Sequence, residues 1–476
     1  MKKLVASALC VSMMAGMLVG CGDSAPAADN TDAAKDETAA VEEKTEEKTE
    51  EAAAPAGDVV LNVWAFTDEV PNMVQKYIDT HPACGFTMTS TIIATTDGAY
   101  QPALDAALAA GGADAPDIYA AEAAFILKYA QGDAYQFAMP YEDLGIDVAA
   151  ATKAADIAQY TIDIGTNPEG KLVGLGYQAT GGAFIYRRSI AKDVWGSDDP
   201  ATVAEKIGSG SNSWDQFFAA AAELKAKGYG IISGDGDLWH AVENSSSQGW
   251  IVDGKLTIDP KREAFLDLSK ELMDNGYHND TQDWQDAWFA DMKGEGAKEV
   301  LGFFGPAWLI NYTIADNCGG KAVGEGTYGD WAVCASPIGF FWGGTWVLAN
   351  KDTKNKDAVK KIIDWITLDC SKDGLQYAWA NGTLYGEGGT KDAVASGTVM
   401  EMSDGTMPFL GGQNMFDAFI PAGEYATGKN LTQFDETING YWRDQVRQYT
   451  SGQKSYEDAI KDFKAQVAEN LEVTVE

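Results

Sequence analysis

Val59-Val-Leu-Asn-Val-Trp-Ala-Phe66, Phe86-Thr-Met-Thr-Ser-Thr-Ile-Ile93 and Ala115-Pro-Asp-Ile-Tyr-Ala120 are three short β-rich runs separated by two helical stretches. Residues 68–80 form the first stretch. In the second, Tyr100 to Ala110, the residues Leu104, Ala107 and Leu108 share one helical face. Strand, helix, strand, helix, strand at this spacing predicts a parallel sheet with crossover helices. A second body begins after Ala183-Phe-Ile-Tyr186. Its best-marked helix spans Ser213–Lys227: Ser213 and Gln216 read as a capping box, Trp214, Phe217, Phe218, Ala221 and Leu224 share a face, and Gly228 supplies the stop. Further helical stretches fall at 261–275 and 283–293, and Leu301–Phe304 reads as a buried strand. Val359, Ile362, Ile363 and Ile366 make 357–368 amphipathic. The C-terminal third is mostly helical, closing with Ile460, Phe463, Val467 and Leu471 on one face. The expectation is two α/β bodies with a cleft between them, a preferred place for a ligand.

The ends of the chain read differently. Lys2 and Lys3 precede an apolar run, Leu4 to Val19, which has signal-peptide length and is short for a membrane span. That run closes on Leu18-Val19-Gly20-Cys21, which resembles the bacterial lipoprotein box and makes Cys21 a lipid attachment site. Two acyl chains at that cysteine suffice for stable anchoring. Residues 22–58 carry 12 acids and 3 lysines with little apolar besides alanine, so they are expected to be a disordered, self-repelling tether.

With 476 residues, the chain exceeds what one core of ~250–300 residues holds. Its net charge of -36 excludes a general nucleic-acid binder. The tether accounts for only -9 of it, so the folded body is acidic itself. No metal site is expected, because the three histidines, His81, His240 and His278, stand at no ligand spacing. Asp235-Gly-Asp237 and Asp280/Asp283/Asp286 do not fit a calcium loop. No cofactor motif, nucleophile elbow or Walker loop is present. Cys318 and Cys334 flank a glycine-rich loop and could pair in an exported protein, the alternative being four thiols at 84, 318, 334 and 370.

Five segments resemble the extracellular solute-binding proteins of carbohydrate ABC transporters, family 1, of the maltose-binding type. They are Leu61–Glu69; Ala115–Ile118; Leu172-Val-Gly-Leu-Gly-Tyr-Gln-Ala-Thr-Gly-Gly-Ala-Phe-Ile-Tyr-Arg-Arg188; Gly302-Phe-Phe-Gly-Pro-Ala-Trp308; and Gly343-Gly-Thr-Trp-Val-Leu-Ala-Asn350, followed by the helix to Leu368. The resemblance implies a two-lobed α/β fold of the type II periplasmic-binding-protein kind, with hinge crossovers and a helical C-terminal region. It divides the chain into a signal at 1–21, the tether at 22–58, lobes at 59–180 and 181–345, and a return crossover with C-terminal helices at 346–476. It also implies a carbohydrate ligand, permease subunits as partners, a monomer lipid-anchored on the outer face of the cell membrane, and no catalysis.

A sugar needs flat aromatics against its C–H faces and polar side chains around its hydroxyl rim. Glu69 is a candidate because it follows the first strand at its cleft end. Trp64 is another, although strand alternation groups it with Asn62 and Phe66 and core packing competes. Relatives place Tyr177, Gln178 and Trp308 at the cleft. Trp342, Gly343 and Trp346 belong to the return crossover, where glycine permits close backbone approach. Where many relatives carry an aromatic after the third strand, this chain offers Glu122. Trp239 lies in Ser233–Gly249, read as a polar loop. Trp214, Trp365 and Trp442 are assigned to the core, and Trp284 and Trp288 to packing one helical turn apart. The competing classes are a lipid-anchored glycoside hydrolase, which would need two carboxylates across one bond, and a surface carbohydrate-binding adhesin or sensor.

Overall fold

The computed structural model describes residues 59–95 and 98–476. The signal peptide, Cys21 and the acidic tether lie outside the described residues. The strands are β1 (Val59–Ala65), β2 (Phe86–Ile92), β3 (Ile118–Glu122), β4 (Gly174–Gly176), β5 (Ala183–Arg187), β6 (Ile251–Val252), β7 (Lys255–Leu256), β8 (Gly302–Gly305), β9 (Trp331–Ala335) and β10 (Thr345–Ala349). Two sheets organise the body. The first has the order β2-β1-β3-β10-β4, the second β8-β5-β9, and β6 pairs with β7 alone.

In the first sheet β1 is parallel to both β2 and β3, as the alternating pattern predicts, while β10 enters antiparallel between β3 and β4. The helices Glu69–Thr80 and Tyr100–Ala110 make the two crossovers. The second sheet is entirely antiparallel, with Ala183 opposite Gly305 on one side and Ala335 on the other. The chain passes between sheets twice through adjacent segments, 177–182 and 336–344. These crossovers are bonded to one another: Trp342 N donates to Thr180 O at 3.0 Å, and Gly182 N to Phe340 O at 2.8 Å. Gly182 has to be glycine, because a Cβ there would stand 2.0 Å from the Phe340 ring.

Three departures from the sequence expectations have local causes. Ser233–Gly249 is not a loop: Asp235–Asn244 is helical, and the Asp237 carboxylate accepts from the backbone N–H of Ser233 and of Gly234 at 3.2 Å each. That side chain answers the free donors at the helix start, while Leu238, Trp239, Ala241 and Val242 are buried. Trp284 is not one helical turn before Trp288, since its φ of 66° is left-handed and the helix begins at Asp286. Finally, Ser213 forms no capping box; the helix starts at Asp215 without a side-chain cap bond. The four thiols at 84, 318, 334 and 370 are all free.

Core assignments agree with helical periodicity where the stripe is long. Trp442 and Phe463 join Phe184 and Phe304 in the core of the second sheet. Val359, Ile362, Ile363 and Ile366 join Leu61 and Val63 of the first. Trp365 is buried and Trp214 half-buried.

Candidate functional site

The chain order of the first sheet places its switch point between β1 and β3. The connection leaves β1 toward β2 on one side and reaches β3 on the other, and ligands of such sheets gather beyond the strand C-termini at that point. Glu69 lies just past the end of β1, and Glu122 is the last residue of β3. Because β10 is antiparallel, its first residue, Thr345, pairs with Glu122 and brings Trp342 and Gly343 to the same edge. β4 ends there too and delivers Tyr177. From the second sheet, Pro306 stops β8 and Trp308 follows in the next turn. Six of the sequence candidates therefore leave strand ends at facing edges of the two sheets.

Three indoles form a group at this junction. Trp308 and Trp342 meet edge to face with centroids 4.8 Å apart, and Trp284 lies parallel to Trp308 at 6.1 Å. Trp308 is fixed by its indole N–H, which donates to the Trp342 carbonyl at 3.0 Å. Trp342 stacks on His240 at 4.0 Å. Gly343 has φ 70°, and a Cβ placed on it would touch Trp308 at 3.5 Å and Glu122 Oε1 at 3.6 Å. Those are ordinary contact distances, so it is the left-handed φ, not space, that calls for glycine here.

Beside this group lies a cavity of about 380 Å³, lined by Glu122, Trp239, His240, Glu243, Trp284, Trp342, Gly343 and further residues of the helices Asp235–Asn244 and Asp435–Thr450. Its volume falls in the ~300–1,000 Å³ range of small-molecule sites. Its lining is polar. Glu122 accepts from Ala124 N at 2.8 Å, and burial pushes its carboxyl up to about 7. Burial likewise pushes Glu243 to about 8 and Asp435 to about 6, against the pull of nearby Arg262. Desolvation also holds His240 well below the usual imidazole range, with Arg443 adding to the effect. Several buried polar atoms on this lining have no partner within the protein, among them His240 Nε2, Asn244 Oδ1, Asp283 Oδ1 and Asp435 Oδ2. Buried polar atoms are nearly always paired, so such a gathering suits an occupant that supplies the missing partners.

Of the remaining candidates only Trp239 lines this cavity. Glu69 is bonded to the Tyr177 hydroxyl. Burial raises its carboxyl, against the lowering effect of that bond. Around the pair stand Asp392, pushed by burial to about 8, and the exposed rings of Tyr312 and Tyr385. Gln178 is buried next to this patch, bridged to Val394. Trp239 sits on the cavity wall with its ring in the second core against Phe265. Trp346 does not reach the cavity: β10 is an interior strand, the ring is 1% exposed, and its N–H donates to Thr161 O at 3.2 Å. Trp64 lines a separate depression of about 870 Å³ on the first sheet, with Asn62, Asp114, Asp117 and Lys354. That depression takes nothing from the second sheet. Asp117 accepts from Asn62 N at 2.9 Å and Asn62 Nδ2 donates to Asp114 O at 3.0 Å, while the buried Trp64 Nε1 has no partner.

Sequence reading missed His240, Glu243, Trp284, Asp435 and Glu436. Trp284 and His240 were assigned to a helix face and a loop, and the others sit on ordinary polar helix positions with no local signal. Among the described residues no group of three or more His, Cys, Asp or Glu side chains is placed to hold a metal ion.

A family model described as bacterial extracellular solute-binding protein matches residues 89–369. No match was found among curated protein sequences. Among solved structures, an extracellular solute-binding protein of family 1 superposes with a TM-score of 0.69 at 19% identity, over 87% of this chain and 99% of its own. The galacto-N-biose-/lacto-N-biose I-binding protein of an ABC transporter from Bifidobacterium longum, in complex with lacto-N-biose, gives 0.62 at 16% identity, over 89% and 100%. An ABC substrate-binding protein from Listeria monocytogenes in complex with cycloalternan gives 0.59 at 15%, over 87% and 99%. These likenesses establish the two-lobed fold.

Proposed function

The chain belongs to the bacterial extracellular solute-binding protein family, and from that premise we propose that it captures a sugar or short oligosaccharide between its lobes and hands it to the permease subunits of an ABC transporter. The observation that supports a carbohydrate is the pairing of three indole rings with a polar cavity fed from both sheets. Trp284, Trp308 and Trp342 offer apolar faces. Glu122, His240, Glu243 and Asp435 offer hydrogen-bonding groups whose partners an incoming hydroxyl rim would complete. Such groups discriminate strongly, because an analogue lacking one hydroxyl leaves a buried atom unpaired. Trp308, Trp342, Gly343 and Glu122 are the sequence candidates we assign to the ligand. Tyr177 and Glu69 shape the wall beside it.

The protein acts by binding and release and performs no bond chemistry on its cargo. The family of binding proteins supports that reading. Cys21 is the lipid anchor in this proposal, with residues 22–58 as the spacer that lifts a monomeric body off the outer face of the cell membrane. The apolar run before Leu18-Val-Gly-Cys21 supports it.

Titrating the purified body with a panel of mono- and oligosaccharides by calorimetry tests the central reading. At least one sugar should bind with micromolar or better affinity, and Trp308→Ala should weaken it. If no carbohydrate binds, the reading fails. Release of reducing ends from an oligosaccharide would replace it with a hydrolase.

A further inference from the structure

The three indoles at the junction form a slot. Trp284 and Trp308 lie within 10° of parallel with centroids 6.1 Å apart. Trp342 stands at 62° to the first and 63° to the second, 6.0 and 4.8 Å away. Two rings therefore make facing walls and the third makes a floor. The walls are unlike. Trp308 is half-buried and tied by its indole N–H to the Trp342 carbonyl. Trp284 is 48% exposed, and its backbone is left-handed at φ 66°, a costly conformation for a bulky residue.

That conformation is held from both sides. Before Trp284, the buried Thr281 shares a hydroxyl hydrogen bond with Ser233 at 2.6 Å, and Asp283 accepts from Arg443 Nη2 at 3.0 Å. Gly236 leaves the room for that ion pair, since a Cβ there would collide with both of its members. After Trp284, the next helix starts at Asp286. Strain of this kind persists only where the surroundings over-determine it, and it gathers at ligand clamps. Here it has one product, an indole that lines the cavity and stands parallel to Trp308.

Resting on the reading of this cleft as a sugar site, we infer that Trp284 and Trp308 clamp one pyranose ring between them, and that the ring is one whose hydroxyls are all equatorial. A ring between two faces needs them about 7–8 Å apart, two carbon contact distances. The empty slot is narrower than that, so the exposed wall, Trp284, moves outward to admit the solute. Its strained backbone makes that departure easier than it would be for a relaxed loop. An all-equatorial pyranose presents only C–H bonds to both walls and keeps its hydroxyls around the rim. An axial hydroxyl points into an indole face, where it is desolvated without a partner. A single stacking surface tolerates such a hydroxyl on the far side of the ring; two surfaces do not.

The test is calorimetric titration of the full body with sugars that differ only at C4. The pairs are methyl β-glucoside with methyl β-galactoside, and gentiobiose with β-1,6-galactobiose. Choline is added because a box of aromatic rings also suits a quaternary ammonium. The gluco member should bind about tenfold tighter than its galacto epimer, a difference of ~1.4 kcal/mol. Trp284→Gly removes one wall and keeps the loop, since glycine takes a positive φ without strain. In that variant the gluco sugar should lose about tenfold in affinity, and the epimer preference should shrink to about threefold or less. The wild-type epimer ratio keeps the inference testable if the variant fails to fold. A wild-type preference below about threefold, or one that survives Trp284→Gly unchanged, overturns the clamp and leaves the sugar reading standing. The clamp also falls alone if neither pair binds while another sugar does. Binding of choline but of no sugar overturns the sugar reading. Binding of no sugar and no choline overturns both.

Discussion

Glu69 and Glu122 leave the same edge of one sheet, at the ends of adjacent parallel strands, yet they finish in opposite surroundings. Glu69 is closed off: the Tyr177 hydroxyl bonds to it, and tyrosines and Asp392 surround the pair. Glu122 keeps one side on the cavity and faces Glu436 across it. Both carboxyls are pushed upward by burial, so the shift does not separate them. Each also accepts a hydrogen bond, Glu69 from the Tyr177 hydroxyl and Glu122 from Ala124 N. What separates them is the cavity: Glu122 lines it and Glu69 does not, so only Glu122 keeps acceptor capacity facing a space a ligand can enter.

Four outcomes would sharpen or break this contrast, in descending order of effect. Tyr177→Ala removes a buried ring and orphans Glu69, so unfolding in denaturant should show a loss of about 3–5 kcal/mol. A loss below ~1 kcal/mol would mean that Glu69 is not held there. Trp308→Ala should cost ligand about 2 kcal/mol, a fall of ~30-fold in affinity by calorimetry, with a much smaller change in stability. Glu122→Gln should weaken ligand by about tenfold, while Glu69→Gln should change affinity by under about threefold. Equal effects from the two would abolish the distinction. The smallest effect concerns a tryptophan of the core: Trp346→Phe forfeits one buried hydrogen bond, about 1 kcal/mol of stability, and leaves the titration curve in place.

Acidity provides a further test. Glu122, Glu243, Asp392 and Asp435 have folded-state values raised to about 7, 8, 8 and 6. A raised carboxyl binds its proton more tightly in the folded state. Its stabilising contribution is therefore complete below about pH 4 and disappears as pH climbs through 6 to 8. The empty protein should melt higher at pH 5 than at pH 8, by on the order of 5 °C. A melting point that rises over this range would contradict the burial of these groups.

The alternating sheet was legible in the sequence because strand and helix periods differ and each run was long enough to display its own. Val59–Phe66 and Phe86–Ile93 match β1 and β2 to one residue. The third run shifted, because Pro116 and Asp117 form the loop that fastens Asn62 and Thr353 ahead of β3. Glycine and aspartate concealed the helix Asp235–Asn244, since both read as turn formers until Asp237 is seen closing the helix start. The strand-end candidates Trp308, Trp342, Gly343 and Glu122 could be read from the sequence because a strand terminus is a local event. The opposite wall could not. Glu243 and Glu436 sit on ordinary helix surface and acquire meaning only when the chain folds them against a residue far back in the sequence.

The indole group at the junction has an optical consequence. Three strongly absorbing chromophores with centroids 4.8, 6.0 and 6.1 Å apart, at fixed and unequal tilts, couple their electronic transitions. The empty protein should therefore carry an intense near-ultraviolet circular dichroism band from Trp284, Trp308 and Trp342. Trp284 is 48% exposed and is the ring a solute would displace first. The molecule thus contains its own label-free gauge of occupancy.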